Sequence, residues 1–377
     1  MTGDDTPSRA LLPAGLGDML PPDAAREAAL VEAMLDVFTA HGYERVKPPL
    51  LEFEDSLLAG SGAAVAEQTF RLMDPVSQRM MGLRADTTPQ VARIAATRLA
   101  RVARPLRLSY AGQVLRVRGT ALVPERQLPQ AGIEIIGASS AAADAEVALL
   151  GVAALAAVGV TDVALDVLMP TMTPTLLAEA GVPEPLRGRL ARALDRKDAA
   201  AVTALSAEAG PPADGLPALL AAAGPADGAL AALAAAALPP AARAIADNAA
   251  EVIAAIRARA PNLRITLDPV EFRGFTYHTG VAFTLYGPGR TGEMARGGRY
   301  LSGDEPATGL TLYPDAVLSA APVPDEAPRL FLALGQDGTP FRAQGFVTVA
   351  ALSTTDDPRR LRCTHILRAQ KPVPIED

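Results

Sequence analysis

The sequence predicts an α+β fold, an antiparallel sheet flanked by helices, and three stretches carry that prediction. Arg107 to Gly137 reads as two antiparallel strands around a longer connection: Leu108, Tyr110, Val114 and Val117 recur ahead of Gly119, and Ile133, Ile135 and Ile136 lead up to Gly137. Leu263 to Arg299 reads as successive strands joined by turns at Arg273-Gly274 and from Gly287 to Gly292. Ahead of both, Val31, Met34, Leu35 and Phe38 recur at i, i+3, i+4 and i+7, the spacing of an amphipathic helix, which Gly42 closes.

Composition bounds what surrounds these elements. A chain of 377 residues, 49% hydrophobic, can bury a substantial core and allows one large domain plus a smaller one. Its single cysteine, Cys363, excludes an intramolecular disulfide framework, and with only three histidines beside it little remains for a Cys/His metal site. No cofactor is implied, and the cytoplasm is the expected compartment. The N-terminus is acidic and rich in Pro and Gly, unlike a signal peptide. The Ala/Leu-rich stretches are broken by Gly224, Gly228, Pro239 and Pro240, well short of the roughly 18 apolar residues that a membrane span needs. A net charge of −7 offers nucleic acid no general attraction.

In chain order, Tyr43 to Gly62 is an extended run through Pro48 and Pro49 into a Gly-Ser turn, and Phe70 to Arg84 is a hairpin bent at Asp74-Pro75. Asp86, Thr87 and Thr88 suit a helix cap, with Pro89 in the first turn. Arg93, Arg98, Arg101, Arg104 and Arg107 would follow on that helix, spread around it as a solvated surface rather than as one stripe. Gln130 and Glu134, four apart on a strand, share the face opposite Ile133 and Ile135; that face suits a small polar ligand or plain solvation. Ala142 to Val160 reads as a helix, followed by a strand. From about residue 169 to 261 the chain is rich in Ala, Leu, Gly and Pro without alternation, which predicts short helices. The last fifty residues read as a small α/β tail of three strands and a short helix or turn, with Cys363 and His365 in strand packing. The expected division is a core over 1–325, with its helical insertion, and a tail over 328–377.

The stretch from Arg107 to Gly137 resembles motif 2 of class II aminoacyl-tRNA synthetases in its histidyl-tRNA synthetase form: Tyr110, Gly112, Arg116, Gln130, Gly132, Glu134 and Gly137 fall in place. Tyr43 to Gly62 resembles motif 1, the dimer-forming unit. The segment from Arg273 is similar to the histidine-specific signature, with Arg273 and Tyr277 matching, Thr276 in place of Asp, and His278 in place of the Tyr that lies against the imidazole. Tyr300 matches in Gly-Gly-Arg-Tyr, and Pro306, Ala307 and Gly309 match motif 3. The resemblance covers roughly residues 11 to 320. It implies a class II synthetase-like fold with a sheet of roughly six or seven strands. It also implies a histidine-like pocket formed by Asp86, Thr88, Arg116, Gln130, Glu134, Arg273, Tyr277, His278 and Tyr300, with Gln130 and Glu134 lining a wet cleft.

Three departures fall on the ATP side. Arg118 stands where the family has an adenine-contacting Glu, Pro124 where it has a phosphate-contacting Arg, and Ala316 where the Arg of motif 3 holds phosphate. Arg126 could partly substitute if the loop shifts. At roughly 1.5 to 3 kcal/mol for each lost charged hydrogen bond, the deficit is on the order of a thousandfold or more in adenylation rate. A pocket that keeps its amino-acid side and loses its second substrate reads as a sensor, so no catalytic residue is assigned. In this the chain resembles the regulatory subunits of ATP phosphoribosyltransferase, non-catalytic paralogues of the synthetase. The implied partners are the short-form catalytic subunit, a second copy of the chain, and histidine as an effector. Membranes are not expected as partners. Nor is tRNA, because the insertion is poor in basic and aromatic residues and the tail is too short for a synthetase anticodon-binding domain. The alternatives are a histidyl-tRNA synthetase with a degenerate ATP site and a histidine- or tRNA-binding adaptor.

Overall fold

The computed structural model describes residues 11–121, 123–271, 277–288 and 292–375. Helix α1 (Asp23–Ala40) buries Met34, Leu35 and Phe38 as the spacing predicts, with Leu30 completing the face in place of Val31, which is half-buried, and the chain leaves it through Gly42 at φ +83°. The motif 1 stretch holds β1 (Glu44–Arg45), β2 (Leu51–Phe53) and the short α2 (Glu54–Leu57). The hairpin follows as β3 (Arg71–Met73) and β4 (Met80–Leu83), paired antiparallel, with the Asp74 carboxylate accepting the Val76 and Ser77 N–H groups at the bend.

Helix α3 (Thr88–Thr97) begins at the expected cap but is shorter than expected. The Arg104 guanidinium donates to the carbonyl of Ala95 in the last turn (3.2 Å) and to those of Leu99 (2.9 Å) and Val102 (2.9 Å) beyond the helix end. Arg101, Arg104 and Arg107 therefore lie beyond the helix, which corrects the expected row of helix arginines. Three of the row are also tied to distant carboxylates, Arg93 to Glu52, Arg104 to Glu305 and Arg107 to Glu146.

Strands β5 (Leu106–Leu115) and β6 (Gln127–Ile136) form the predicted antiparallel pair, from Leu106 opposite Ile136 to Leu115 opposite Gln127. Helix α4 (Ala141–Ala157) and β7 (Ala164–Leu168) come next, then α5 (Met172–Glu179), α6 (Leu186–Asp195), α7 (Ala199–Ala209), α8 (Leu216–Ala221), the two-residue β8 (Gly224–Pro225), α9 (Ala226–Ala235) and α10 (Pro240–Arg259). The sheet resumes with β9 (Arg264–Asp268), β10 (His278–Tyr286), β11 (Glu293–Ser302) and β12 (Glu305–Leu312), and α11 (Pro314–Ala320) closes this part.

Among the described residues the main sheet has nine strands in the order β1-β5-β6-β12-β11-β10-β7-β9-β8. It runs antiparallel from β5 through β7, whereas β1 is parallel to β5 and β7 is parallel to β9. The expected sheet of six or seven strands is thus exceeded by the two-residue edge strands β1 and β8. The parallel pair has a topological cause: α5 to α10 form the crossover that returns the chain to the same end of the sheet. The apolar face carries Ile133, Ile135, Leu165, Val167, Ile265, Leu267, Phe283, Leu285, Leu310 and Leu312, continuous with the buried residues of α1, α4 and the inserted helices.

The chain divides into two units, Met1–Ala321 and Pro322–Asp377. The second holds β13 (Arg329–Leu332), α12 (Thr339–Arg342), β14 (Val347–Ala350), β15 (His365–Arg368) and β16 (Lys371–Pro374), in the sheet order β14-β13-β15-β16. Its core is Leu330, Leu332, Phe341 and Leu367. Pro372 and Pro374 argue against a strand in sequence, yet β16 is an edge strand, where a missing N–H is tolerated. Cys363 is buried, and the His365 ring packs edge-on against Phe346 at 5.3 Å. Among the described residues no helix is long and apolar enough to cross a membrane.

Candidate functional site

The face of the main sheet opposite the apolar core is built in rows across the strands. Register places Leu108, Glu134, Gly309, Gly298 and Ala282 in one row. Tyr110, Gly132, Thr311, Arg296 and Thr284 form the next. Two-residue periodicity thus brings a carboxyl, three hydroxyls and a guanidinium onto a floor of glycines. Gly309 has no alternative, since a Cβ there would lie 1.7 Å from Glu134 Oε2. Gly298, at φ +146°, lies against Ala282, with 2.6 Å from a would-be Cβ to the Ala282 Cα. A slip in the β10–β11 register between His278 and Ala282 sets His278 opposite Tyr300.

Glu134 is the centre of the site. It is 1% exposed and accepts hydrogen bonds from Thr88 Oγ1 (2.9 Å) and Tyr300 OH (2.9 Å). Thr88 Oγ1 lies 3.2 Å from Tyr110 OH, which in turn lies 2.7 Å from Thr311 Oγ1. Burial pushes the Glu134 carboxyl up to about 8, against the hydrogen bonds from Tyr300 and Thr88, which pull it down. Burial, followed by the neighbouring Glu134, likewise raises the Tyr300 phenol. The space that Thr88, Glu134, Tyr277, His278, Arg296 and Tyr300 help line is about 10 Å³, room for about one water molecule.

The expected wet cleft is therefore a nearly filled, internally bonded site around Glu134. The reason is geometric: β6 is an interior strand, and α3 lies over it, packing Val91 and Ala95 against Tyr110, Ile136 and Tyr300. Gln130 and Asp86 act as a brace for this helix. Gln130 Oε1 accepts from the Thr87 N–H (3.0 Å) and Thr87 Oγ1 (2.9 Å), Gln130 Nε2 donates to Asp86 Oδ2 (2.9 Å), and Asp86 Oδ1 accepts the Thr88 N–H (2.9 Å).

Of the nine expected pocket residues, Thr88, Glu134, Tyr277, His278 and Tyr300 line the small space. Tyr277 also reaches the surface; its ring is 4.1 Å from that of His278 and meets Tyr300 edge-on at 6.0 Å. Asp86 and Gln130 stand behind Thr88. Arg116 is turned to the Ala85 carbonyl, 3.5 Å from its Nε, outside the lining. Arg273 lies outside the described residues. Sequence reasoning missed Arg296, although parity on β11 could have found it: with Gly298 and Tyr300 it forms an i, i+2, i+4 set on one face.

On the side where the family holds ATP, Arg118 and Pro124 are exposed in the loop between β5 and β6, and Ala316 packs against the apolar core. Arg126 does not stand in for the lost charge. Its guanidinium lies over the Phe70 ring at 4.9 Å and donates to the carbonyls of Arg116 and Ala14, both at 3.2 Å. Among the described residues no group of three or more His, Cys, Asp or Glu side chains could hold a metal ion.

A family model described as histidyl-tRNA synthetase matches residues 15–317. The ATP phosphoribosyltransferase regulatory subunit of Paramagnetospirillum magneticum is 53% identical over 380 residues, 99% of this chain and all of that protein. The regulatory subunit of Rhodospirillum centenum is 52% identical over 387 residues, covering both chains fully. A solved structure from Bacillus halodurans, described as an ATP phosphoribosyltransferase regulatory subunit/histidyl-tRNA synthetase, matches with a TM-score of 0.80 over 94% of this chain and 96% of that one. At 23% identity that likeness speaks for the fold alone. On the strength of the matched family model and the full-length identities, the chain belongs to the histidyl-tRNA synthetase-like family, among the regulatory subunits of ATP phosphoribosyltransferase.

Proposed function

We propose that this chain serves in the cytoplasm as a non-catalytic regulatory subunit that binds the short catalytic form of ATP phosphoribosyltransferase. In this role it activates that enzyme and helps bring histidine feedback to the first step of histidine biosynthesis. One observation carries the reading: the two halves of the inherited site are unequally kept. The amino-acid half is a connected network of Thr88, Tyr110, Glu134, Tyr300 and Thr311, whereas the nucleotide half has Arg118, Pro124 and Ala316 where charge-matched contacts would be needed. The nearly filled site also suits an effector. A ligand that must open it has different affinities for the closed and open states, which is the requirement for shifting an equilibrium.

Two copies pair through the motif 1 stretch, residues 42–62, in an isologous contact. The test is co-expression with the short transferase. The two chains should purify together, transferase activity should rise over that of the short chain alone, and histidine should inhibit the complex. Separate elution with transferase activity unchanged on mixing would defeat the reading. Light scattering that shows a monomer at micromolar concentration would remove the motif 1 pairing alone.

A further inference from the structure

We infer that Arg296 holds the ligand's carboxylate in the Glu134 pocket, so that the pocket takes a zwitterionic amino acid with its cationic part at Glu134 and its carboxylate at Arg296. This rests on reading the pocket as an amino-acid site, and it names the residue that selects for the carboxylate. Arg296 lines the same small space as Thr88, Glu134 and Tyr300. It stands on β11 one row along from Glu134 and two strands away, with Gly309 and Gly298 between. At about 4.8 Å between strands and about 3.4 Å per residue, the two Cα atoms are about 12 Å apart. Both side chains line the same small space, over a floor that carries no side chain at either glycine.

Arg296 sits at the rim: its Nη2 donates to Glu293 Oε2 at 3.0 Å, and the side chain is 36% exposed. A planar guanidinium matches a carboxylate in a paired, two-bond geometry that a lysine cannot copy. Arg296 lies on a strand of the sheet itself, where the row geometry sets its position relative to Glu134.

The test is calorimetric titration of the full chain with histidine and with histidinol, which has a hydroxymethyl group in place of the carboxylate. The wild type should favour histidine by about tenfold to a hundredfold, the range of one charged hydrogen-bond contact. Arg296→Met should bring the two ligands to within about twofold by weakening histidine while leaving histidinol unchanged, and Arg296→Lys should recover part of the preference. A preference that survives in both variants overturns the inference and leaves the amino-acid site standing. Equal loss of both ligands in the Met and Lys variants also overturns it, since that is what a structural role produces. Binding of neither ligand by the wild type removes the amino-acid site and the inference together.

Discussion

Replacing Glu134 with Gln should leave the protein about as stable as the wild type near pH 5 and make it more stable near pH 9. The carboxyl moves from an ordinary value of 4.5 to about 8 on burial. Below about pH 4.5 it is protonated in both the folded and unfolded chain, so its contribution is constant. Between 4.5 and 8 the folded chain keeps the proton and the unfolded chain loses it, so the folded state binds more protons and stability falls as pH rises. Above about 8 both states are ionised and the loss is complete. At about 1.36 kcal/mol per pKa unit, the span of 4.5 to about 8 corresponds to an upper bound of about 5 kcal/mol.

Gln resembles the protonated acid in shape, keeps an oxygen for the Thr88 or Tyr300 hydroxyl, and cannot ionise. Urea unfolding at pH 5, 7 and 9 measures both proteins, and the difference between them isolates this one group. The expected result is a gap in favour of Glu134→Gln that widens steadily from pH 5 to pH 8 and then levels off. A gap that stays constant within about 1 kcal/mol from pH 5 to pH 9 would refute the reasoning, because the carboxyl would then titrate alike in the folded and unfolded chain. Glu134→Ala is the poorer probe: it leaves two buried hydroxyls facing a void, so it perturbs folding along with any ligand contact.

Other expectations follow from the same geometry. Because Arg118, Pro124 and Ala316 occupy the places of ATP-binding groups, histidine-dependent pyrophosphate exchange should be undetectable with this chain alone, and robust exchange would restore the synthetase reading. Gly309→Ala sets a methyl 1.7 Å from Glu134 Oε2; it should destabilise by about 1–3 kcal/mol in thermal unfolding and remove histidine binding by displacing the carboxyl. Asp144 is fully buried and accepts from Arg299 Nε (3.1 Å) and Nη2 (2.8 Å), while the same guanidinium holds the Ala138 and Ser140 carbonyls at the start of α4. Asp144→Ala should therefore cost about 3–5 kcal/mol in urea unfolding, since it strands a buried guanidinium. A cost below about 1 kcal/mol would show that water solvates Arg299 in the variant.

Periodicity along the chain determined which face each major element buries. The 3.6-residue repeat of Met34, Leu35 and Phe38, and the two-residue repeat that separates Gln130 and Glu134 from Ile133 and Ile135, reappear as core and site faces because local geometry alone sets them. The resemblance located Thr88, Glu134 and Tyr300, which meet within hydrogen-bond distance although 46 and 166 residues separate Glu134 from its two partners. What the sequence could not carry is everything set by register and coverage. Whether Glu134 is wet or dry depends on α3 lying across an interior strand. Whether Gln130 touches a ligand or braces a helix depends on where Thr87 and Asp86 come to rest. Arg104 could not be told from a surface arginine until α3 stopped at Thr97 and the chain around its end brought three carbonyls to the guanidinium. Such outcomes turn on contacts between residues far apart in the chain, whereas a sequence pattern reports only the geometry of near neighbours.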